Sequence, residues 1–173
     1  GPNRIPALQE VLEWCEATGL RLNLELKTNV CEYPGIEQKT IEMVFSAGMQ
    51  ERVILSSFNH YTLLRCKKIE PQILCGALEE SWIVNFGGYA KGLGLECVHP
   101  LHWYLTKENM ERLKEQGLRV HTWTVNEPEQ MRRLIDLGAD IIITNHPDRL
   151  AEQLRDLSGA EEGQTGENER TGK

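Results

Sequence analysis

Apolar and polar side chains alternate strictly along residues 20–27, LRLNLELK. In a β-strand, the four leucines of this stretch fall on one face, and its polar residues, including Glu25 and Lys27, fall on the other. A half-buried surface strand exposes such a polar face to solvent, whereas a strand of a closed barrel turns it into the lumen. Which of the two holds depends on the sheet that the rest of the chain builds.

Six strand–helix units follow one another along the chain. The predicted strands begin near residues 21, 52, 73, 95, 119 and 140, and a helical pattern follows each of them. Strands that alternate with helices form right-handed βαβ units and a parallel sheet. Two α/β architectures have this pattern, an open doubly wound sheet and a closed (β/α)8 barrel of the TIM-barrel type. The chain lacks the glycine-rich phosphate loop that usually follows a strand of the open sheet.

Four segments carry more specific expectations. Thr106 is a natural N-cap for the helix that follows it, and Gly117 is placed to end that helix. The glycine-rich stretch 87–94 predicts a weak connection, and the apolar run 139–144, ADIIIT, predicts a buried strand. Residues 158–173 contain no apolar residue larger than alanine. We therefore predict one domain over residues 1–157 and a disordered acidic and polar tail over residues 158–173.

Composition limits the classes of function. The 173 residues, 40% of them hydrophobic and 26% charged, suit one soluble globular domain. A net charge of −7 disfavours a nucleic-acid partner, because binding to a phosphate backbone needs a basic surface. No apolar run approaches the roughly 20 residues of a membrane span. The five cysteines have no metal-ligand spacing, and they predict reduced structural thiols and a cytoplasmic location.

The polar face of the first strand is a candidate site. Side chains at the carboxyl end of a barrel strand line the mouth of the barrel, where Glu25 and Lys27 would stand two residues apart. A carboxylate there can bind a hard divalent cation, and an ammonium can hold a phosphate. The same spacing also fits a solvated face or an internal ion pair. Trp123, near the end of a later strand, could form a wall against an alcohol or glycerol moiety, or could pack the top of the barrel.

Five segments together resemble the glycerophosphodiester phosphodiesterase family. They are IPALQEVL (5–12), LNLELK (22–27), VILSSF (53–58), HTWTVN (121–126) and IITNHP (142–147), and the resemblance covers about residues 5–157. One departure is Ala7, at a helix start where the family usually has threonine. The resemblance implies a (β/α)8 barrel that hydrolyses glycerophosphodiesters to glycerol 3-phosphate and an alcohol with Mg²⁺ or Ca²⁺. It also implies that Glu25 is a metal ligand, that Lys27 contacts substrate and that Trp123 lines the substrate pocket.

The family's opening segment has no counterpart in this chain. That segment carries a His-Arg-Gly strand, a Glu-x-Asp pair and a His-Asp pair, which supply both catalytic histidines and two further metal ligands. None of these motifs occurs in the 173 residues. We therefore expect an incomplete barrel holding strands three to eight, with no catalytic residue in this chain and no activity from it alone. The start at Gly1-Pro2, without a methionine, leads us to expect a piece of a longer enzyme.

The histidines that are present do not replace the missing ones. None is paired in the sequence pattern with an acidic dyad at a neighbouring strand end, so structural or surface roles are favoured for all five (His60, His99, His102, His121 and His146). The alternative to an enzyme is a non-catalytic module that binds phosphodiesters or a partner. A different phosphate-handling barrel enzyme ranks last, because no glycine-lined phosphate loop follows the final strands.

Overall fold

The computed structural model describes residues 3–168. Within this range the chain forms six β-strands: β1 (Leu22–Glu25), β2 (Val53–Ser57), β3 (Leu74–Glu79), β4 (Cys97–Pro100), β5 (Arg119–Thr122) and β6 (Ile141–Ile142). The same range forms seven α-helices and a short 3-10 helix (His102–Tyr104). The α-helices are α1 (Leu8–Thr18), α2 (Ile36–Ser46), α3 (His60–Ile69), α4 (Phe86–Gly92), α5 (Lys107–Glu115), α6 (Pro128–Asp136) and α7 (Pro147–Asn168).

The strands of residues 3–168 lie in chain order in one parallel sheet, from β1 at one edge to β6 at the other. Their first residues, 22, 53, 74, 97, 119 and 141, lie within two positions of the predicted starts. The sheet curls into a half-barrel, and this confirms the prediction of an incomplete (β/α)8 barrel over the open doubly wound sheet.

The main core lies between the sheet and the helices. Leu24 of β1 pairs in register with Leu55 of β2, which pairs with Cys75 of β3, and all three pack in this core. Val44 of α2 and Leu63 of α3 are fully buried against them. Burying one such large apolar side chain stabilises a fold by about 1.5–3 kcal/mol. The leucine face of β1 is therefore the helix-facing one, so its polar face looks to the other side of the sheet.

The ends of α5 agree with the sequence prediction, whereas α1 begins differently. Thr106 Oγ1 accepts a hydrogen bond from the backbone N–H of Asn109, and Asn109 Oδ1 accepts one from the backbone N–H of Thr106. Gly117 follows α5 with φ +70°, a conformation that favours glycine. At α1, Ala7 offers no side-chain acceptor, and only the carboxylate of Glu10 reaches back to the Ala7 N–H. The departure at residue 7 therefore affects a helix cap.

The glycine-rich stretch 87–94 forms part of a regular helix, α4, instead of a weak connection. Asn85 adopts the left-handed φ of 58°, and its side chain accepts a hydrogen bond from the Gly88 N–H at 3.2 Å. This cap satisfies one of the free donors at the helix start, which compensates for the poor helix propensity of the glycines.

The buried strand predicted at 139–144 is only partly correct. β6 comprises two residues, and Ile141 is 42% exposed. Within the described residues β6 pairs with β5 alone, so one side of the strand has no neighbour. An edge position explains why an apolar run that suggested a buried strand carries an exposed isoleucine.

The closing helix α7 extends to Asn168. The domain boundary that we predict at residue 157 falls inside this helix, and the disordered tail stays a prediction, with residues 169–173 outside the described residues. Although α7 is 22 residues long, neither it nor any other helix of residues 3–168 is long and apolar enough to cross a membrane.

All five cysteines are free thiols, as the sequence predicts. Four are buried (Cys15, Cys66, Cys75 and Cys97), and burial raises the pKa of the Cys66 and Cys97 thiols to about 12. Cys31 is exposed on the loop between β1 and α2, so it is not a core residue.

Candidate active site at the carboxyl ends of the strands

One face of the sheet turns away from the helices. Glu25 pairs in register with Ser56 of β2, and Ser56 pairs with Gly76 of β3, so these residues share this face. Phe58 follows Ser56 by two residues and therefore lies on the same face. Its ring contacts the ring of Trp123, just beyond β5, with centroids 5.5 Å apart and ring planes at 89°.

The Phe58–Trp123 contact shows that this face is the concave one. β3 and β4 lie between β2 and β5, so three strand spacings would separate the two strands by roughly 14 Å in a flat sheet. The two rings reach each other because the sheet curls around them. Glu25, which shares their face, therefore points into the lumen of the half-barrel.

Glu25 and Lys27 stand together at the carboxyl end of β1. Beyond the strand, Leu26 and Thr28 are buried and Lys27 between them is exposed, so the Lys27 side chain points away from the core that buries its two neighbours. Neither residue belongs to the six ion pairs found among the described residues, which excludes an internal ion pair. A carboxylate and an ammonium are thus both available to a ligand in the lumen.

Trp123 forms a fixed wall of the same space. Its Nε1–H donates a hydrogen bond to the backbone carbonyl of His99 at 2.8 Å, and the edge-to-face contact with Phe58 holds the other side of the indole. Sequence reasoning selected Trp123 but missed Phe58. The period of two from Ser56 could have identified Phe58, because that residue ends the quoted segment 53–58.

Two histidines pack side by side deeper in the concave face. His121 Nδ1 and His99 Nε2 are 2.9 Å apart, and both side chains are buried. Burial, together with a smaller effect of the neighbouring His121, lowers the pKa of His99 to about 3, and burial lowers the pKa of His121 to about 4. The pair is therefore a neutral, hydrogen-bonded part of the lumen packing.

We expect the free energy of unfolding to decrease as the pH falls below about 6.5. The unfolded chain protonates His99 and His121 near their ordinary pKa, whereas the folded chain keeps His99 neutral down to about pH 3 and His121 neutral down to about pH 4. Across this window the unfolded state binds more protons, so each histidine costs up to about 1.4 kcal/mol per pH unit. Urea titrations at several pH values measure the slope. A double variant of the whole protein, His99→Gln with His121→Gln, should have a smaller slope than the wild type, and equal slopes in the two proteins would contradict the prediction.

Comparison with known proteins identifies the family. The model of the glycerophosphoryl diester phosphodiesterase family matches residues 1–149. The chain belongs to this family. A glycerophosphodiester phosphodiesterase of Caldanaerobacter subterraneus subsp. tengcongensis is 37% identical over 152 residues, which are 88% of this chain and 63% of that relative. The chain thus spans less than two thirds of the length of this relative.

Solved structures agree with the family fold. A candidate glycerophosphoryl diester phosphodiesterase from Silicibacter pomeroyi superposes with a TM-score of 0.83 at 26% identity, over 90% of this chain and 58% of its own. An Oleispira antarctica phosphodiesterase in complex with the product sn-glycerol-3-phosphate has a TM-score of 0.73 at 24% identity, over 87% of this chain and 62% of its own. The latter likeness concerns the fold alone.

The described residues of this family member do not by themselves form a cation site. Mg²⁺ requires six ligands and Ca²⁺ six to eight, mostly oxygens. Among the residues that the structure describes, no group of three or more histidine, cysteine, aspartate or glutamate side chains could hold a metal ion. Glu25 offers one carboxylate on the concave face, which is too few.

A cavity of about 650 Å³ lies apart from the Glu25–Lys27 face. Its lining includes Trp82 on the loop after β3, Phe86 at the start of α4 and Leu113 on α5. Pro100 at the end of β4 also lines it, so the cavity lies beside the carboxyl ends of β3 and β4, and Glu25, Lys27 and Trp123 are not among its lining residues.

Proposed function

We propose that the whole protein hydrolyses glycerophosphodiesters to glycerol 3-phosphate and an alcohol, with Mg²⁺ or Ca²⁺ as a cofactor. The observation that carries this proposal is Glu25 on the concave face at the end of β1, with Lys27 exposed two residues later, in a member of this family. Active sites of (β/α)8 barrels lie at this end. The name of the bacterial relative supports the substrate class.

Each of the three site residues has a distinct role in this proposal. Glu25 contributes one carboxylate to a cation site whose other ligands are not among the described residues. The Lys27 ammonium, which has no ion-pair partner in the described range, binds the anionic phosphodiester as a point charge. Trp123, supported by Phe58, packs against the alcohol or glycerol moiety.

We expect glycerol 3-phosphate release from glycerophosphocholine by the whole protein in the presence of Mg²⁺ or Ca²⁺, and none by the 173-residue chain alone. The chain lacks the His-Arg-Gly, Glu-x-Asp and His-Asp motifs of the family. It therefore lacks the general acid and base that the family resemblance implies. A coupled assay for glycerol 3-phosphate, run side by side on the two proteins, measures the difference.

Each outcome of this assay has a clear meaning. Activity of the 173-residue chain would show that the argument from the missing motifs is wrong. Inactivity of both proteins with either cation would favour a non-catalytic module that binds phosphodiesters. A cytoplasmic location is part of the same proposal, and the five free thiols support it, because structural cysteines stay reduced in that compartment.

A further inference from the structure

The backbone on the N-terminal side of Lys27 is held by hydrogen bonds from the end of β2. The Leu26 N–H donates to the carbonyl of Ser56 at 2.8 Å, and the hydroxyl of Ser57 donates to the carbonyl of Leu26 at 2.6 Å. That carbonyl also accepts from the Thr28 N–H at 3.0 Å, which closes a three-residue γ-turn centred on Lys27. Leu26 and the turn are therefore fixed to β2.

The backbone on the C-terminal side of Lys27 is held by residues just after β2 and on α3. The side-chain amide of Asn59 donates to the carbonyl of Thr28 at 3.2 Å, and the hydroxyls of Thr28 and Thr62 lie 2.5 Å apart. Arg65 donates to the Thr62 hydroxyl at 3.0 Å and to the carboxylate of Glu37 at 2.6 Å. A chain of hydrogen bonds thus runs from α2 through α3 to the residue that follows Lys27.

These hydrogen bonds fix the backbone on both sides of Lys27, whereas the Lys27 side chain itself is exposed. Thr28 is 3% exposed and Thr62 is fully buried, whereas Lys27 between the held residues is exposed. Thr28 and Thr62 meet through their buried hydroxyls, and a hydrogen-bonded network in a buried place rigidifies the backbone that it connects. A lysine stem is flexible, so the position of its ammonium depends on how firmly its backbone is held.

We propose that Ser57, Asn59 and Thr62 are positioning residues that direct the Lys27 ammonium toward the phosphodiester. The inference rests on the proposed function, in which Lys27 binds substrate. The three residues act through the backbone on either side of Lys27 and do not contact substrate themselves.

The variant Thr62→Val, made in the whole protein, tests this role. It keeps the shape of the side chain and removes the hydroxyl that holds Thr28. We expect KM for glycerophosphocholine to rise roughly tenfold with kcat little changed, because Lys27 contributes ground-state binding and misplacement of a binding group can cost up to about 100-fold. Thr62→Ser keeps the hydroxyl and should restore KM. Thr40→Val, at another buried threonine on α2, is the matched control and should leave KM unchanged.

A double-mutant cycle with Lys27→Met separates positioning from a general structural effect. If Thr62 acts through Lys27, Thr62→Val causes no further loss of kcat/KM on the Lys27→Met background. An equal loss on both backgrounds, or no loss in Thr62→Val itself, would overturn the inference while leaving the proposed function intact. Absence of activity in the wild-type whole protein would instead overturn the proposed function. If Thr62→Val fails to fold, Ser57→Ala, which removes the hydrogen bond to the Leu26 carbonyl, replaces it in the cycle.

Discussion

Glu25→Gln in the whole protein is expected to reduce kcat/KM for glycerophosphocholine by roughly a thousandfold or more. The amide keeps the size of the side chain and removes the negative charge that a hard divalent cation needs from its oxygen ligand. Glu25 points into the lumen and has no ion-pair partner among the described residues, so the fold does not depend on its charge. The thermal unfolding midpoint should therefore change little. Glycerol 3-phosphate release at saturating Mg²⁺ or Ca²⁺ measures the effect.

The loop after β1 provides a matched control for Glu25. Glu32 is also an exposed carboxylate, but it lies in the loop before α2 and outside the register that places Glu25 on the concave face. Glu32→Gln should leave kcat/KM within about twofold, because a single surface charge contributes little. Comparable activities of Glu25→Gln and Glu32→Gln would show that Glu25 is not a ligand in the reaction.

The sequence predicts the order of the elements well because each depends on local rules. The period of two in LRLNLELK, the helix cap at Thr106 and the spacing of the strand starts are all properties of short segments. The rule that βαβ units form parallel sheets then leads to the barrel type without any knowledge of long-range contacts. The inward direction of Glu25 cannot be predicted from its own strand and follows only once the sheet is known to curl. In the structure Glu25 lies on the concave face of the curled sheet.

Contacts between strands distant in the chain could not be predicted in this way. Phe58 meets Trp123 across the lumen because the sheet curls, and His99 meets His121 because the register of β4 and β5 aligns them. The sequence also does not reveal that Thr62 holds the residue after Lys27, because the two threonines lie 34 positions apart. Where local signals misled us, as at α4, a side-chain cap outweighed the low helix propensity of glycine.

Gly76→Ala is expected to reduce the free energy of unfolding by about 3 kcal/mol or more. An added Cβ would lie 2.3 Å from His99 Nε2 and 3.1 Å from the Cβ of Cys97, both closer than ordinary contact. His99 cannot move away without losing its hydrogen bond to His121, and both rings are buried. A buried imidazole nitrogen left without its partner costs a further 1–3 kcal/mol or so. Urea unfolding of the whole protein measures the loss.

A second glycine and a second substitution test the cause of this loss. Nothing lies within 4 Å of a Cβ added at Gly92 on α4, so Gly92→Ala should be neutral or stabilise the protein by up to about 1 kcal/mol. On a His99→Ser background the ring is gone, and Gly76→Ala should then cost less than about 1 kcal/mol. Equal losses from the two glycine variants, or an undiminished loss on the His99→Ser background, would mean that the histidine ring is not what requires glycine at position 76. The expected result would show that the packing of the lumen below Glu25 requires a residue without a side chain at position 76, because the His99 ring occupies the space that a Cβ would need.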